Sequence, residues 1–218
     1  KPYEKMLNVV NKIIKKSGHT FEFIDLGGGM GISYEKNSKK LNYQKYNIAI
    51  QKFLKDQKVK IIFEPGRSIV GNIGFLISQV IYIKENVKKD FIILDAAMND
   101  LIRPTLYDAF HRVWPAEPSA EFPNLPEDYE LDVPGGLKVD VVGPVCESGD
   151  FLAKGRSLPP MKRGDLLATF SAGAYGMSMS SNYNSRNRAA EVLVDADKTH
   201  LVRARETLEY QMSLEKAL

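Results

Sequence analysis

Near the start of the chain, two short apolar runs each end in a polar turn that carries glycine. Thr20 to Leu26 stops at Gly27-Gly28-Gly29, and Val59 to Phe63 runs into Glu64-Pro65-Gly66-Arg67. An amphipathic segment precedes each run. In 2–16, Met6, Val10, Ile13 and Ile14 share a face, Pro2 suits a first helical turn and Gly18 follows as a stop. In 41–55, Tyr46, Ile50, Phe53 and Leu54 face inward. Helix, strand, helix, strand in this order predicts parallel βα units. Both glycine turns then fall at the carboxyl ends of strands, where α/β sheets and barrels place their ligands. Two such units cannot close an eight-stranded barrel of roughly 250 residues. They predict either a smaller open sheet or a barrel whose other strands lie outside this sequence.

Beyond residue 70 the pattern changes. Phe75 to Ile83, Phe91 to Leu94, Lys138 to Val142, Asp165 to Phe170 and Arg188 to Val194 are β-branched, apolar runs separated by turns, which predicts an all-β module. Leu101 to His111 reads as a short helix with Pro104 in its first turn, and His200 to Leu218 as a closing helix. The stretch 115–134 holds five of the eleven prolines and has little periodicity, so it reads as a loop or insertion. The expected division is therefore 1–70, α/β, and 71–218, β with a closing helix.

Charge and cysteine usage exclude several classes. A net charge of +3, from 30 basic and 27 acidic side chains, is too small an excess to argue for nucleic acid. The single cysteine, Cys146, rules out an intrachain disulfide and any cysteine-based zinc site, which fits a reducing compartment. No apolar run reaches bilayer length. Lys1 to Lys5 contain no initiator methionine and no signal-peptide core, so the chain is expected to be processed or part of a longer protein.

Five compact stretches carry chemistry. Gly27 to Gly29 let a backbone approach an anion closely, as a phosphate cradle requires, though both nucleotide-loop spacings are absent. Glu64-Pro65-Gly66-Arg67 offers a carboxylate and a guanidinium on one turn. Arg103-Pro104-Thr105-Leu106-Tyr107 sets a guanidinium and a phenol one helical turn apart. Gly143-Pro144-Val145-Cys146-Glu147-Ser148-Gly149-Asp150 flanks the only thiol with carboxylates and backbone-bending residues. Ser171-Ala172-Gly173-Ala174-Tyr175-Gly176 presents a phenol after a strand. Taken singly, each is as readily a tight turn, a surface ion pair or a buried small residue. His19, His111 and His200 lie too far apart to show a ligand spacing, and no metal is assigned.

In this order, D-L-G-G-G-M-G-I, E-P-G-R, R-P-T-L-Y, G-P-V-C-E-S-G-D and S-A-G-A-Y-G resemble the diaminopimelate decarboxylases, pyridoxal-phosphate decarboxylases of the alanine-racemase-like fold. The resemblance runs from about Asp25 to the C-terminus. It implies the last βα units of a (β/α)8 TIM-type barrel followed by an antiparallel, Greek-key-like β domain. It also implies a cytoplasmic enzyme that decarboxylates meso-2,6-diaminopimelate to L-lysine and CO2. Gly27, Gly28, Gly29, Gly66 and Arg67 would hold the phosphate of pyridoxal 5'-phosphate with Tyr175 assisting, and Glu64 would pair with the pyridinium nitrogen. Arg67, Arg103 and Tyr107, with Tyr175 beside them, would grip the distal carboxylate of the substrate, and Glu147 its distal ammonium. Cys146 would reprotonate the α-carbon. In this family the cysteine loop enters the neighbouring subunit's active site, so a homodimer is implied. Cys146 followed by Glu147 and Ser148 favours diaminopimelate over ornithine or arginine.

The family's cofactor lysine and ring-stacking histidine have no counterpart here. Lys5, Lys12, Lys15 and Lys16 sit on the polar side of a helix, so the isolated chain is expected to be inactive. Two other readings stay open. One is a related decarboxylase of another diamino acid or polyamine precursor, and the other is a non-catalytic relative that binds and regulates a decarboxylase subunit.

Overall fold

The computed structural model describes residues 2–34, 40–55, 57–87, 89–117, 119–122 and 133–216. They form two compact units, one of 2–33 with 40–69 and the other of Tyr34 with 70–216.

In the first unit, α1 (Pro2–Ser17) ends where Gly18 takes φ +64°, the left-handed turn that commonly closes helices. After β1 (Phe23–Asp25) comes α2 (Tyr43–Leu54), whose N-cap Asn42 accepts the Lys45 amide at 2.8 Å. β2 (Lys60–Ile62) then runs parallel to β1 with Ile24 opposite Ile61. Leu7, Ile50 and Phe53 are the buried centre, with Val10, Ile14, Tyr46 and Leu54 packed against it. The inward face expected for α2 is the observed one. For α1 the expectation needs correcting. Leu7, Val10 and Ile14 form the packed stripe at helical spacing, and Met6 and Ile13 flank it and are exposed. β1 is also shorter and less buried than expected. Ile24 turns toward the apolar centre, and Phe23 and Asp25 alternate away from it. The Glu64 turn continues directly into α3 (Gly66–Val70).

The second unit is built on a six-stranded sheet. Its spatial order is β5 (Val113–Pro115), β8 (Leu166–Thr169), β3 (Leu76–Lys84), β4 (Asp90–Leu94), β6 (Leu137–Val142) and β7 (Phe151–Leu158). The sheet is mixed rather than antiparallel, because β4 and β6 pair in parallel while every other neighbour is antiparallel. The long connection 95–136, which includes α4 (Arg103–Tyr107) and β5, returns the chain to the end from which β4 set out. Val80, Leu94, Leu101, Val141, Leu152 and Leu167 are fully enclosed at the core. β5 and β7 are not foreseen from sequence. β5 is three residues long, and Lys154-Gly155-Arg156 interrupts the apolar pattern of β7.

β9 (Glu191–Asp195) and β10 (Lys198–Arg203) form a separate antiparallel hairpin, turned at Ala196 with φ +53°. The expected closing helix from His200 is thus displaced by a strand. A helix starts only at α5 (Leu208–Gln211), where Thr207 caps the Tyr210 amide, and a 3-10 turn, Met212–Leu214, follows. Of the proline-rich 115–134, residues 118 and 123–132 lie outside the described residues. Among those described, no helix is long and apolar enough to cross a membrane.

Candidate active site

In the first unit the ends of β1 and β2 are tied together at the glycine turn. The Leu26 amide donates to the Ile62 carbonyl at 3.1 Å, and the Glu64 amide donates to the Gly27 carbonyl at 3.0 Å. Asp25 Oδ1 accepts the Gly27 amide at 2.7 Å. Gly27 and Gly29 take φ +66° and +77°, which glycine adopts without strain. At Gly28 a Cβ would overlap the Glu64 carbonyl oxygen, so only glycine fits. The Gly28 and Gly29 amides donate to no acceptor among the described residues. Glu64 is exposed and Arg67 half-buried, on the turn that opens α3. The sequence-predicted residues Gly27, Gly28, Gly29, Glu64, Gly66 and Arg67 are therefore together at one edge of this unit. The unclaimed Gly28 and Gly29 amides, with open space beside Gly27, Gly29 and Gly66, suit an anionic phosphate, so these residues fit pyridoxal phosphate.

In the second unit the feature of most consequence is Arg103, only 6% exposed at the start of α4. No carboxylate pairs with it among the described residues. Its partners are neutral. One guanidinium nitrogen donates to His111 Nε2 at 2.9 Å, and the group lies 5.5 Å from the Tyr34 ring centroid and 5.9 Å from that of Tyr175. Cation–π contact offsets part of the desolvation cost but not the charge. A buried guanidinium whose partners among the described residues are neutral is chemically suited to an anion. Tyr107, one turn further along α4, is 61% exposed.

The cysteine loop is held by Asp150, which is 5% exposed. One of its carboxylate oxygens accepts the Met98 amide and the other the Val145 amide, both at 2.7 Å. Burial pushes this carboxyl above the usual carboxylate range, and the two amides oppose that shift. Gly143 has no room for a Cβ beside the Asp150 carboxylate, and Thr105 of α4 donates through Oγ1 to the Gly149 carbonyl. Clamped at its base, the loop leaves Cys146 and Glu147 exposed at its tip. The Gly149 amide donates to Glu147 Oε1 at 3.2 Å, and the Tyr183 hydroxyl reaches Glu147 Oε2 at 3.5 Å. A thiol and an oriented carboxylate are thus presented together.

Tyr175 has φ +61°, which costs on the order of 1 kcal/mol for a residue with a Cβ. Close packing holds the turn there. A Cβ on Gly173 would strike the Val70 carbonyl, and one on Gly176 the Ala172 carbonyl. The result sets the Tyr175 phenol ring beneath the Arg103 guanidinium. Of the residues singled out in the second unit, the structure brings Arg103 to Tyr175, and Cys146 to Glu147. His111, Tyr34, Tyr183 and the Asp150 clamp are not anticipated from sequence. Asp150 closes the cysteine motif, and its signal is a carboxylate at the end of a glycine-bounded turn. Among the described residues no group of histidine, cysteine and acidic side chains could hold a metal ion.

The family model described as "Pyridoxal-dependent decarboxylase, C-terminal sheet domain" matches residues 8–173. A diaminopimelate decarboxylase of Neisseria meningitidis is 46% identical over 214 residues, which is 98% of this chain and 49% of that protein. One of Pseudomonas aeruginosa is 48% identical, covering 94% of this chain and 46% of its own length. Among solved structures, diaminopimelate decarboxylase from Helicobacter pylori complexed with L-lysine superimposes with a TM-score of 0.81 at 40% identity, covering 97% of this chain and 49% of that one. The chain spans about half the length of the relatives it matches. With a family model that covers most of its length, the chain belongs to the pyridoxal-dependent decarboxylases, in the family of their C-terminal sheet domain.

Proposed function

We propose that this chain is the C-terminal part of a cytoplasmic, homodimeric enzyme that converts meso-2,6-diaminopimelate to L-lysine and CO2 with pyridoxal phosphate. In this account 1–70 completes a TIM-type barrel and 71–218 forms the β domain. The observation that carries the proposal is Arg103. It is a buried guanidinium whose partners among the described residues are neutral, and the same chain also presents Cys146 and Glu147. A substrate with an ionised group at each end matches a cationic and an anionic side chain. Relatives named for that substrate, and one solved with L-lysine, support the choice.

When bound, pyridoxal phosphate supplies the electron sink that accepts the pair left behind as CO2 departs. The residues of this chain bind, orient and move protons. The Gly27 to Gly29 and Gly66-Arg67 turns hold the phosphate through backbone amides and the guanidinium. Glu64 offers a carboxylate to the ring nitrogen. Arg103, with Tyr175, Tyr107 and Arg67, takes the carboxylate that the reaction leaves in place, and the Glu147 that the neighbouring subunit's cysteine loop brings in takes the ammonium next to it by a charge-assisted hydrogen bond. On the same incoming loop, the Cys146 thiol delivers a proton to the α-carbon as general acid, a transfer for which a thiol is chemically suited.

The test is CO2 release from meso-diaminopimelate, L-ornithine and L-arginine by the pyridoxal-phosphate-loaded enzyme that contains this chain. The expected result is turnover of diaminopimelate alone. Preference for ornithine or arginine would move the assignment to a related decarboxylase. Binding to a decarboxylase subunit without any turnover would make the chain a regulatory relative.

A further inference from the structure

We propose that His111 is the positioning residue for Arg103, fixing the guanidinium as a carboxylate receptor while leaving its charge unneutralised. The proposal rests on the reading of Arg103 as the substrate's carboxylate anchor. It goes further by assigning a function to a histidine that no motif singles out.

His111 is fully buried, and both its ring nitrogens are engaged. Nδ1 lies 2.9 Å from the Phe170 carbonyl, which can only accept, so Nδ1 carries the proton. Nε2 is then the bare nitrogen, and it takes a hydrogen bond from the Arg103 guanidinium at 2.9 Å. The Phe170 carbonyl thus sets the tautomer, and the tautomer sets the arginine. Tyr34 closes the other side, its ring edge-on to the imidazole at 5.7 Å and under the guanidinium at 5.5 Å. An aspartate or glutamate here would also orient Arg103, but it would neutralise the charge that the substrate must meet. A neutral imidazole orients without competing. Burial beside Arg103 and Arg156 also holds the imidazole below its ordinary titration range, so it stays neutral near pH 7.

The conservative variants separate the two nitrogens. The amide of His111→Asn lies near Nδ1 and keeps the bond to Phe170. That of His111→Gln reaches the Nε2 position and keeps an acceptor for Arg103. The measurement is equilibrium binding of L-lysine and of cadaverine, the same diamine without a carboxylate, to the holoenzyme. H111N is expected to weaken L-lysine binding about tenfold, the worth of one hydrogen bond to a charged group, while cadaverine binding is unchanged. H111Q should stay within about threefold of the unmutated enzyme for both ligands. Equal losses in H111N and H111Q, or a loss in H111Q alone, would overturn the proposal, because the histidine would then be a structural strut.

Arg103→Met separates this from the reading beneath it. If R103M still discriminates lysine from cadaverine, the assignment of Arg103 is wrong. If R103M loses discrimination while H111N keeps it, only the role of His111 is wrong. Imidazole nitrogen NMR of the unmutated enzyme gives an answer independent of variant folding. Nε2 should be the unprotonated nitrogen, and its resonance should move on adding L-lysine but not cadaverine. A protonated Nε2 would overturn the proposal.

Discussion

Two buried residues of opposite charge organise the second unit in opposite ways. Asp150 turns inward and binds the Met98 and Val145 amides of its own fold, while Arg103 has a neutral acceptor and keeps its charge available. Their substitutions should therefore behave differently. Asp150→Ala strands two half-buried amides and should destabilise the second unit by about 2 kcal/mol, read as a lower denaturation midpoint. Arg103→Met removes a buried charge that has no carboxylate partner among the described residues, and it should leave that midpoint nearly unchanged or raise it. Equal loss of stability in both variants would mean that Arg103 serves the fold rather than a ligand. Arg103 is legible in sequence because Arg-Pro-Thr-Leu-Tyr repeats a family pattern. His111 is not, because its importance comes from the Phe170 carbonyl 59 residues away, a separation no local pattern encodes.

At the scale of elements, the glycine turn and the C-terminal segment make separate predictions. Gly28→Ala would push a methyl into the Glu64 carbonyl and separate the ends of β1 and β2. Pyridoxal phosphate affinity should fall about tenfold, in line with an overpacking cost of 1–3 kcal/mol. Unchanged affinity would remove this turn from the cofactor site.

The C-terminal segment is fastened by Glu206. It accepts from the Arg188 side chain at 2.7 Å, the Arg188 amide at 2.9 Å and Asn182 at 2.6 Å, and the first of these does most to lower its carboxyl to about 2. A carboxyl with a lowered value stabilises the folded form at every pH above its ordinary range. That contribution is lost as the pH falls toward 2. Hydrogen-exchange protection around Arg188 should therefore fall between the ordinary carboxylate range and pH 2, and Glu206→Gln should weaken that pH dependence, with Glu209 in α5, also lowered, accounting for what remains. The strand β10, which the sequence disguises as helix, shows why this region is hard to read. Leu201, Ala204 and Leu208 satisfy helical spacing, and the left-handed turn at Ala196 puts the first of them in a hairpin. That residue has a Cβ and announces no turn.

For the molecule as a whole, the long apolar runs and the ordered motifs carry most of what sequence can give. β3, β4, β6, β8 and β9 lie where β-branched runs predict them, and α2 packs as its stripe predicts. The mixed character of the sheet is hidden because it depends on where the 95–136 connection returns, and pairing direction is a property of topology rather than of strand composition. The central claim is that a buried arginine, with no carboxylate partner among the described residues, anchors one end of a doubly charged amino acid during decarboxylation. The most direct test is kcat/KM for CO2 release from meso-diaminopimelate by the holoenzyme and by its Arg103→Met variant. A fall of about 100-fold or more, at unchanged folding stability and cofactor binding, is the predicted result for loss of a buried charge partner. A variant within a fewfold of the unmutated enzyme would contradict the claim.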